Sequence, residues 1–373
     1  MLSQKCISWY NNIFKTTQLF EDMTNCVEGS PWHRERNVGV HTDMVVNQYL
    51  ITMTKEPDAW DMSEVIGFLS CVFHDVGKPA AKIEKHSEAR GDYFAFHGHE
   101  QISARMWEDY VCTNESLIDL LGLRPFHIWG ISWIIEHHVP WATKDKRKRE
   151  NYAKSVIKIF QEDGFNDAET FSSVLMADTY GRISDDAEDK IAKSIEWCDE
   201  FYDLLVKCGI HNSYEREDLT KPILHVPIAA TGTGKSTYFN NLPNKAIDKF
   251  SLDDCRLDWY DGADYGECFK LSCEDKDFTK KSNTKFLNML SEGNDIYVDN
   301  CNISTKSRRF YVDEARKKGY RILAVTFQIS KTELQRRITN RRDKIIGYHI
   351  AESMYDRIQQ PSFGEFDHIV AVM

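Results

Sequence analysis

The chain has 373 residues, 42% hydrophobic and 28% charged, the composition of a soluble globular protein with room for two ordinary domains. No apolar run reaches transmembrane length and the N-terminus lacks a signal-peptide layout, so a cytoplasmic protein with no membrane partner is expected. The formal net charge of -11 argues against a bulk electrostatic nucleic-acid binder, though not against one that grips a chain end locally.

Up to about residue 215 the chain reads as helices. In MSEVIGFLSCVFHD, residues Val65, Ile66, Phe68, Leu69, Val72 and Phe73 fall at helical spacing behind Ser63, an expected N-cap. TFSSVLMADTYGR and DDAEDKIAKSIEWCDEFYDLLVKCG repeat that rhythm. Histidines and carboxylates recur along these helices: His41, the pair His74–Asp75 in FHDVGKP, His97 and His99 in FHGHEQISA, His137 and His138 in EHHVP, and Asp178. One histidine on an apolar helix is usually a satisfied core or surface residue. Imidazoles and carboxylates projecting from several helices into one cavity, however, can hold one or two divalent transition metals. Such metals can activate a water and polarise a phosphoryl oxygen. Lys78, one turn beyond Asp75, is placed to neutralise a phosphate, and Trp32 and His33 are candidates to line the pocket, Trp32 being equally suited to a core.

After HNSYEREDLTKP the rhythm changes. Short apolar runs (ILHVPIAA, KAIDKFSL, DIYVD, RILAVTFQ, FDHIVAV) alternate with helical segments, as in an α/β domain with a parallel sheet. A boundary at 217/218 is expected, giving domains 1–217 and 218–373. AATGTGKST, Ala229 to Thr237, follows the first strand and opens a helix, the context of a phosphate-binding loop, although alanine stands at its first glycine position. Thr231, Gly232, Thr233, Gly234, Lys235, Ser236 and Thr237 would cradle ATP, with Lys235 at the β/γ phosphates and Ser236 on Mg²⁺. SLDDCR places two carboxylates and Arg256 after the next strand, a set suited to a hydroxyl acceptor. Arg337 and Arg341, four apart, are expected on one helix face as a lid over the phosphates, and Asp299 ends a later strand. Other basic clusters are Lys144–Lys154 and the SRR of Ser307–Arg309, and the 10 cysteines are scattered as reduced thiols.

Residues 220 to 373 resemble the 5′-hydroxyl polynucleotide kinases, with the loop, the DD-x-R segment and the arginine lid in family order. That resemblance implies Asp253 as general base and Arg256 as a clamp on the nucleotide's 3′ phosphate. The order H…HD…H…H…D between residues 30 and 185 resembles the HD-domain phosphohydrolases. It implies a core metal set of His41, His74, Asp75 and Asp178, with His99 and His137 for a second metal. His138 is the less expected of its pair, and His97 is a candidate substrate contact. The whole chain resembles the bifunctional HD-domain polynucleotide kinases: an all-α HD bundle acting as a 2′,3′-phosphoesterase, then an α/β P-loop kinase. The implied function is healing of RNA or DNA ends, RNA foremost, for a separate ligase. A nucleotidase–nucleoside kinase fusion would use the same motifs, and a nucleotide-sensing regulator would have no use for Asp253 and Arg256.

Overall fold

The computed structural model describes residues 1–28, 35–52, 56–87, 91–138, 167–183, 220–243, 246–341, 346–362 and 365–373, with isolated residues between 192 and 203. The chain divides into two compact units, Met1–Asn212 and Ser213–Met373. The expected boundary at 217/218, the PWH segment with Trp32 and His33, and the Lys144–Lys154 cluster lie outside the described residues.

The first unit is helical. Its central helix, Met62–Phe73, is buried from Glu64 to Phe73, because its apolar residues run right round the barrel rather than along one stripe. It packs against helices Val38–Thr52, Pro125–His137 and Asp167–Tyr180. At Gly67 an added Cβ would sit 2.0 Å from the Tyr49 hydroxyl, so a glycine is what lets helix Val38–Thr52 come this close. The N-cap is Asp61, not Ser63: Asp61 accepts from the Ser63 N–H while Glu64 reaches back to the Asp61 N–H, a capping box that outcompetes a lone serine. One element departs from the all-helical expectation. Strands β1 (Ile83–Ser87) and β2 (Gly91–Ala95) form an antiparallel hairpin that leads into the His99 helix.

The second unit is built on five parallel strands: β3 (Ile223–Ile228), β4 (Asp248–Phe250), β5 (Ile296–Val298), β6 (Arg321–Phe327) and β7 (His368–Val372), in the order β4-β5-β3-β6-β7. Each expected apolar run supplies one strand. Strands enclosed on both faces read as continuous apolar runs rather than alternating ones, and β3 is buried from Leu224 to Ile228. The chain steps from β3 to one side of the sheet and later to the other. The loops after β3, β4, β5 and β6 therefore gather at the carboxyl edge, where such sheets hold their ligands. Arg308 of the SRR cluster is no surface charge. It is fully buried, bonded to both Glu365 oxygens at 2.7 Å and to the carbonyls of Asn302, Gln359 and Gln360.

Candidate functional site

In the first unit, five helices deliver one titratable cluster: His41 from Val38–Thr52, His74 and Asp75 at the end of Met62–Phe73, His99 opening His99–Thr113, His138 capping Pro125–His137, and Asp178 from Asp167–Tyr180. His41 Nε2 lies 3.3 Å from His74 Nε2, 3.2 Å from Asp178 Oδ1 and 3.4 Å from Asp75 Oδ2. On the other side, Asp75 Oδ1 lies 3.1 Å from His99 Nε2 and 3.7 Å from His138 Nε2. Asp75 thus belongs to two donor triads, His41–His74–Asp75 and Asp75–His99–His138.

The hydrogen positions follow from the backbone. His74, His99 and His138 each place Nδ1 2.7–2.8 Å from a carbonyl, those of Cys71, Phe96 and Ile135. A carbonyl only accepts, so Nδ1 carries the hydrogen; in the neutral ring the Nε2 lone pair then turns inward toward carboxylate oxygens, and in the charged ring Nε2–H donates to them. Acceptors facing acceptors are repulsive unless a cation lies among them. Asp75 Oδ1 and His99 Nε2 are buried atoms with no hydrogen-bond partner among the described residues. The donor set fits one or two transition metals, with the carbonyls as outer supports that fix ring orientation.

Burial opposes charge on His41, yet Asp178 and Glu35 lift its imidazole to about 9; Glu35 Oε1 lies 3.0 Å from His41 Nδ1. Burial likewise opposes ionisation of Asp75, but His74 and Lys78 hold its carboxyl well below the usual range. Arg182, four residues on from Asp178, does the same for that carboxylate against burial.

Two expectations are corrected. His138, not His137, joins Asp75 and His99. His137 stacks on Trp133 (centroids 4.1 Å apart) with Nδ1 2.8 Å from the Trp133 carbonyl, because neighbouring residues on a helix point about 100° apart. Lys78 is buried and its ammonium is divided between Glu28 at 2.5 Å and Asp75 at 2.8 Å, so in this structure it is engaged by two carboxylates rather than presented to a pocket. His97 stands apart from the cluster, 2.9 Å from Lys85 Nζ. Sequence reasoning missed Glu28, Glu35 and Arg182. Only Arg182 carried a signal, its helical spacing from Asp178.

In the second unit the loop after β3 turns left-handed at Gly232 (φ 86°) and Gly234 (φ 115°), where a side chain is strained. An added Cβ at Gly232 would also sit 2.6 Å from Ile338. Lys235 Nζ bonds the Ala230 carbonyl at 2.7 Å and lies 3.8 Å from Cys301 Sγ, while Ser236 and Thr237 are exposed. Thr233 is tied to the Ala230 carbonyl at 3.0 Å. Arg337 donates to the Thr233 carbonyl at 2.8 Å and Arg341 to the Thr231 hydroxyl at 3.2 Å. Both arginines therefore reach the loop. They do not share a helix face as expected, since that helix runs Lys331–Thr339 and Arg341 lies beyond its cap.

Asp253 and Asp254 lie not at a bare strand end but in the first turn of helix Leu252–Trp259, capped by Ser251. Asp254 pairs with Lys249 at 2.8 Å, and Asp253 with Arg256 at 2.8 Å. Burial pushes the Asp299 carboxyl up, while Lys235 and Lys249 pull the other way; Asp253 and Asp254 act on it too, so these charges share one neighbourhood at the sheet edge.

Residues 224–359 match the family model of the AAA domain. The match takes in the β3 loop, the SLDDCR segment, Arg337 and Arg341. A comparison with curated proteins finds no match. This AAA-type part of the chain is a P-loop domain of kinase type, and such a domain implies ATP and Mg²⁺.

Proposed function

We propose that the chain heals nucleic-acid ends, RNA foremost. The AAA-type domain would phosphorylate a 5′-hydroxyl with ATP, and the helical domain would remove a 2′,3′-cyclic or terminal 2′/3′ phosphate, leaving ends for a separate ligase. The observation that carries this reading is the ion pair of Asp253 and Arg256 at the sheet edge that also bears the phosphate loop. A carboxylate and a guanidinium there suit an acceptor that offers both a hydroxyl and a neighbouring phosphate.

In the kinase step Asp253 takes the proton of the acceptor hydroxyl as its oxygen bonds the γ-phosphorus. The bond from that phosphorus to the β–γ bridging oxygen breaks, and ADP leaves with the electron pair. Lys235, Arg337 and Arg341 neutralise the charge on the phosphoryl oxygens, and Ser236 would hold Mg²⁺. In the helical domain His41, His74, Asp75 and Asp178 would hold one metal, and Asp75, His99 and His138 a second. Metal bound there supplies phosphoryl polarisation and an activated water. Lys78, itself held by Glu28, keeps Asp75 ionised and in place.

The second reading, a nucleotidase joined to a nucleoside kinase, is favoured by one observation: Arg256 is already engaged by Asp253 and Ser272, as a purely structural arginine would be. The deciding experiment incubates the protein with an RNA oligomer carrying a 5′-hydroxyl and a 2′,3′-cyclic phosphate, with ATP and a panel of divalent metals, and resolves both ends. Conversion of both ends is expected. Phosphorylation of free nucleosides with untouched oligomer would overturn the proposal.

A further inference from the structure

Asp253 Oδ1 accepts two hydrogen bonds, from Arg256 Nη1 at 2.8 Å and from the Tyr265 hydroxyl at 2.5 Å. The arginine lies on the same helix as Asp253, but the tyrosine opens the next one, Tyr265–Glu274. The terminal torsion of a carboxylate is broad, so an aspartate on a helix does not by itself hold its oxygens in one plane. Donors arriving at one oxygen from two elements remove that freedom. Burial, and then the Asp253 carboxylate, push the Tyr265 phenol well above its ordinary range, so it remains a donor at neutral pH. The second helix also holds the arginine. Ser272 accepts from Arg256 Nε at 3.1 Å, and the Phe269 ring centroid lies 4.9 Å from the guanidinium carbon; Phe278, opening the following helix, lies 5.2 Å from it.

We propose that Tyr265 is a positioning residue of the phosphotransfer site, its hydroxyl orienting the Asp253 carboxylate toward the acceptor hydroxyl. Helix Tyr265–Glu274 is then the element that fixes both members of the acceptor pair. The inference rests on the reading of Asp253 as general base. Among the described residues, the charged groups around Asp253 include Arg256 and Asp254 on its own helix, Lys249 from β4 and Asp299 after β5. Tyr265→Phe keeps all of them and removes one donor.

The test is Tyr265→Phe in the full chain, assayed with ATP and a 5′-hydroxyl oligonucleotide. The value of kcat should fall about ten- to a hundred-fold, as for a lost hydrogen bond to a charged group, with the KM for ATP and the melting temperature unchanged. A hydrogen bond to the ionised form lowers a carboxyl pKa, so its loss should move the acid limb of the kcat–pH profile to higher pH. A tyrosine that merely packs would lower the melting temperature and leave that limb in place. Tyr265→Phe should also add nothing to Asp253→Ala, since no carboxylate remains to orient. Wild-type kcat and an unmoved limb in Tyr265→Phe, with Asp253→Ala inactive, overturn the positioning role and leave the base assignment standing. An active Asp253→Ala overturns the base assignment and this inference with it.

Discussion

Asp75 Oδ1 and His99 Nε2 lie 3.1 Å apart, both buried, and neither has a hydrogen-bond partner among the described residues. Two orphaned groups this close would cost stability unless a cation completes them. Asp75→Ala, which serves both triads, should therefore strip most bound transition metal and abolish phosphate removal. His99→Ala should lose only the share held by the second triad. Elemental analysis reads both variants directly, and 5′ phosphorylation serves as the control, expected near normal in each. Full metal occupancy in Asp75→Ala would show that the cluster is not the metal centre.

His137 and His138 differ by one residue and should differ in kind. His138→Ala should lower metal content and hydrolysis. His137→Ala should leave the metal in place and act through stability, since it removes a ring stacked on Trp133. Metal analysis alongside a thermal melt separates the two. Loss of metal in His137→Ala with retention in His138→Ala would reverse the assignment.

Arg256 separates polynucleotide from nucleoside chemistry. If its guanidinium clamps the phosphate 3′ of the reacting nucleotide, Arg256→Ala should lower kcat/KM about ten- to a hundred-fold for a 5′-hydroxyl oligonucleotide or a nucleoside 3′-monophosphate. A plain nucleoside should scarcely be affected. Equal losses on every acceptor, with a lower melting temperature, would mark Arg256 as a brace for Asp253 and favour the nucleoside-kinase reading.

The five parallel strands were legible because each lies in a short apolar run between helical segments, enclosed most fully in β3, β5 and β6 and only partly at the edge strands β4 and β7. The hairpin was not, since Lys85, His86 and Asp92 give it no apolar alternation and half its positions are exposed. The sequence named His41, His74, Asp75, His99 and Asp178, which the structure brings together, but chose His137 where His138 lies among them. The choice between His137 and His138 turns on one step of helical rotation, and no surrounding pattern fixes that phase. Glu28 and Glu35 lie outside any helix, and only tertiary folding brings them to Lys78 and His41. Arg337 and Arg341 were singled out for an incomplete reason. Their spacing suggested one helix face, yet the helix stops between them and both still reach the loop.

The Arg308–Glu365 pair makes a prediction about stability alone. Arg308 is the fully buried partner, and removing it strands the Glu365 carboxylate and three backbone carbonyls. Arg308→Ala should destabilise the second unit by about 3 kcal/mol, the range for breaking a buried pair from one side. Denaturant unfolding monitored in that unit checks it. A change under about 0.5 kcal/mol, as for an ordinary surface substitution, would mean the network carries little.

Ala229 has no positive φ, and it belongs to a buried cluster with Val325 and Phe327 against which Tyr238, Leu323 and Val372 pack. A glycine in a pattern can stand for two different needs: a backbone no other residue adopts, or a lack of room. Position 229 has neither need in this chain. A methyl there also narrows the unfolded ensemble, so Ala229→Gly would forfeit about 0.4–1 kcal/mol and relieve nothing. A pattern that insists on glycine at every position would pass over this loop, whereas one that insists only where the backbone inverts would keep it. The first letter of the motif reports what packs behind the strand; Gly232 and Gly234 report what a phosphate requires.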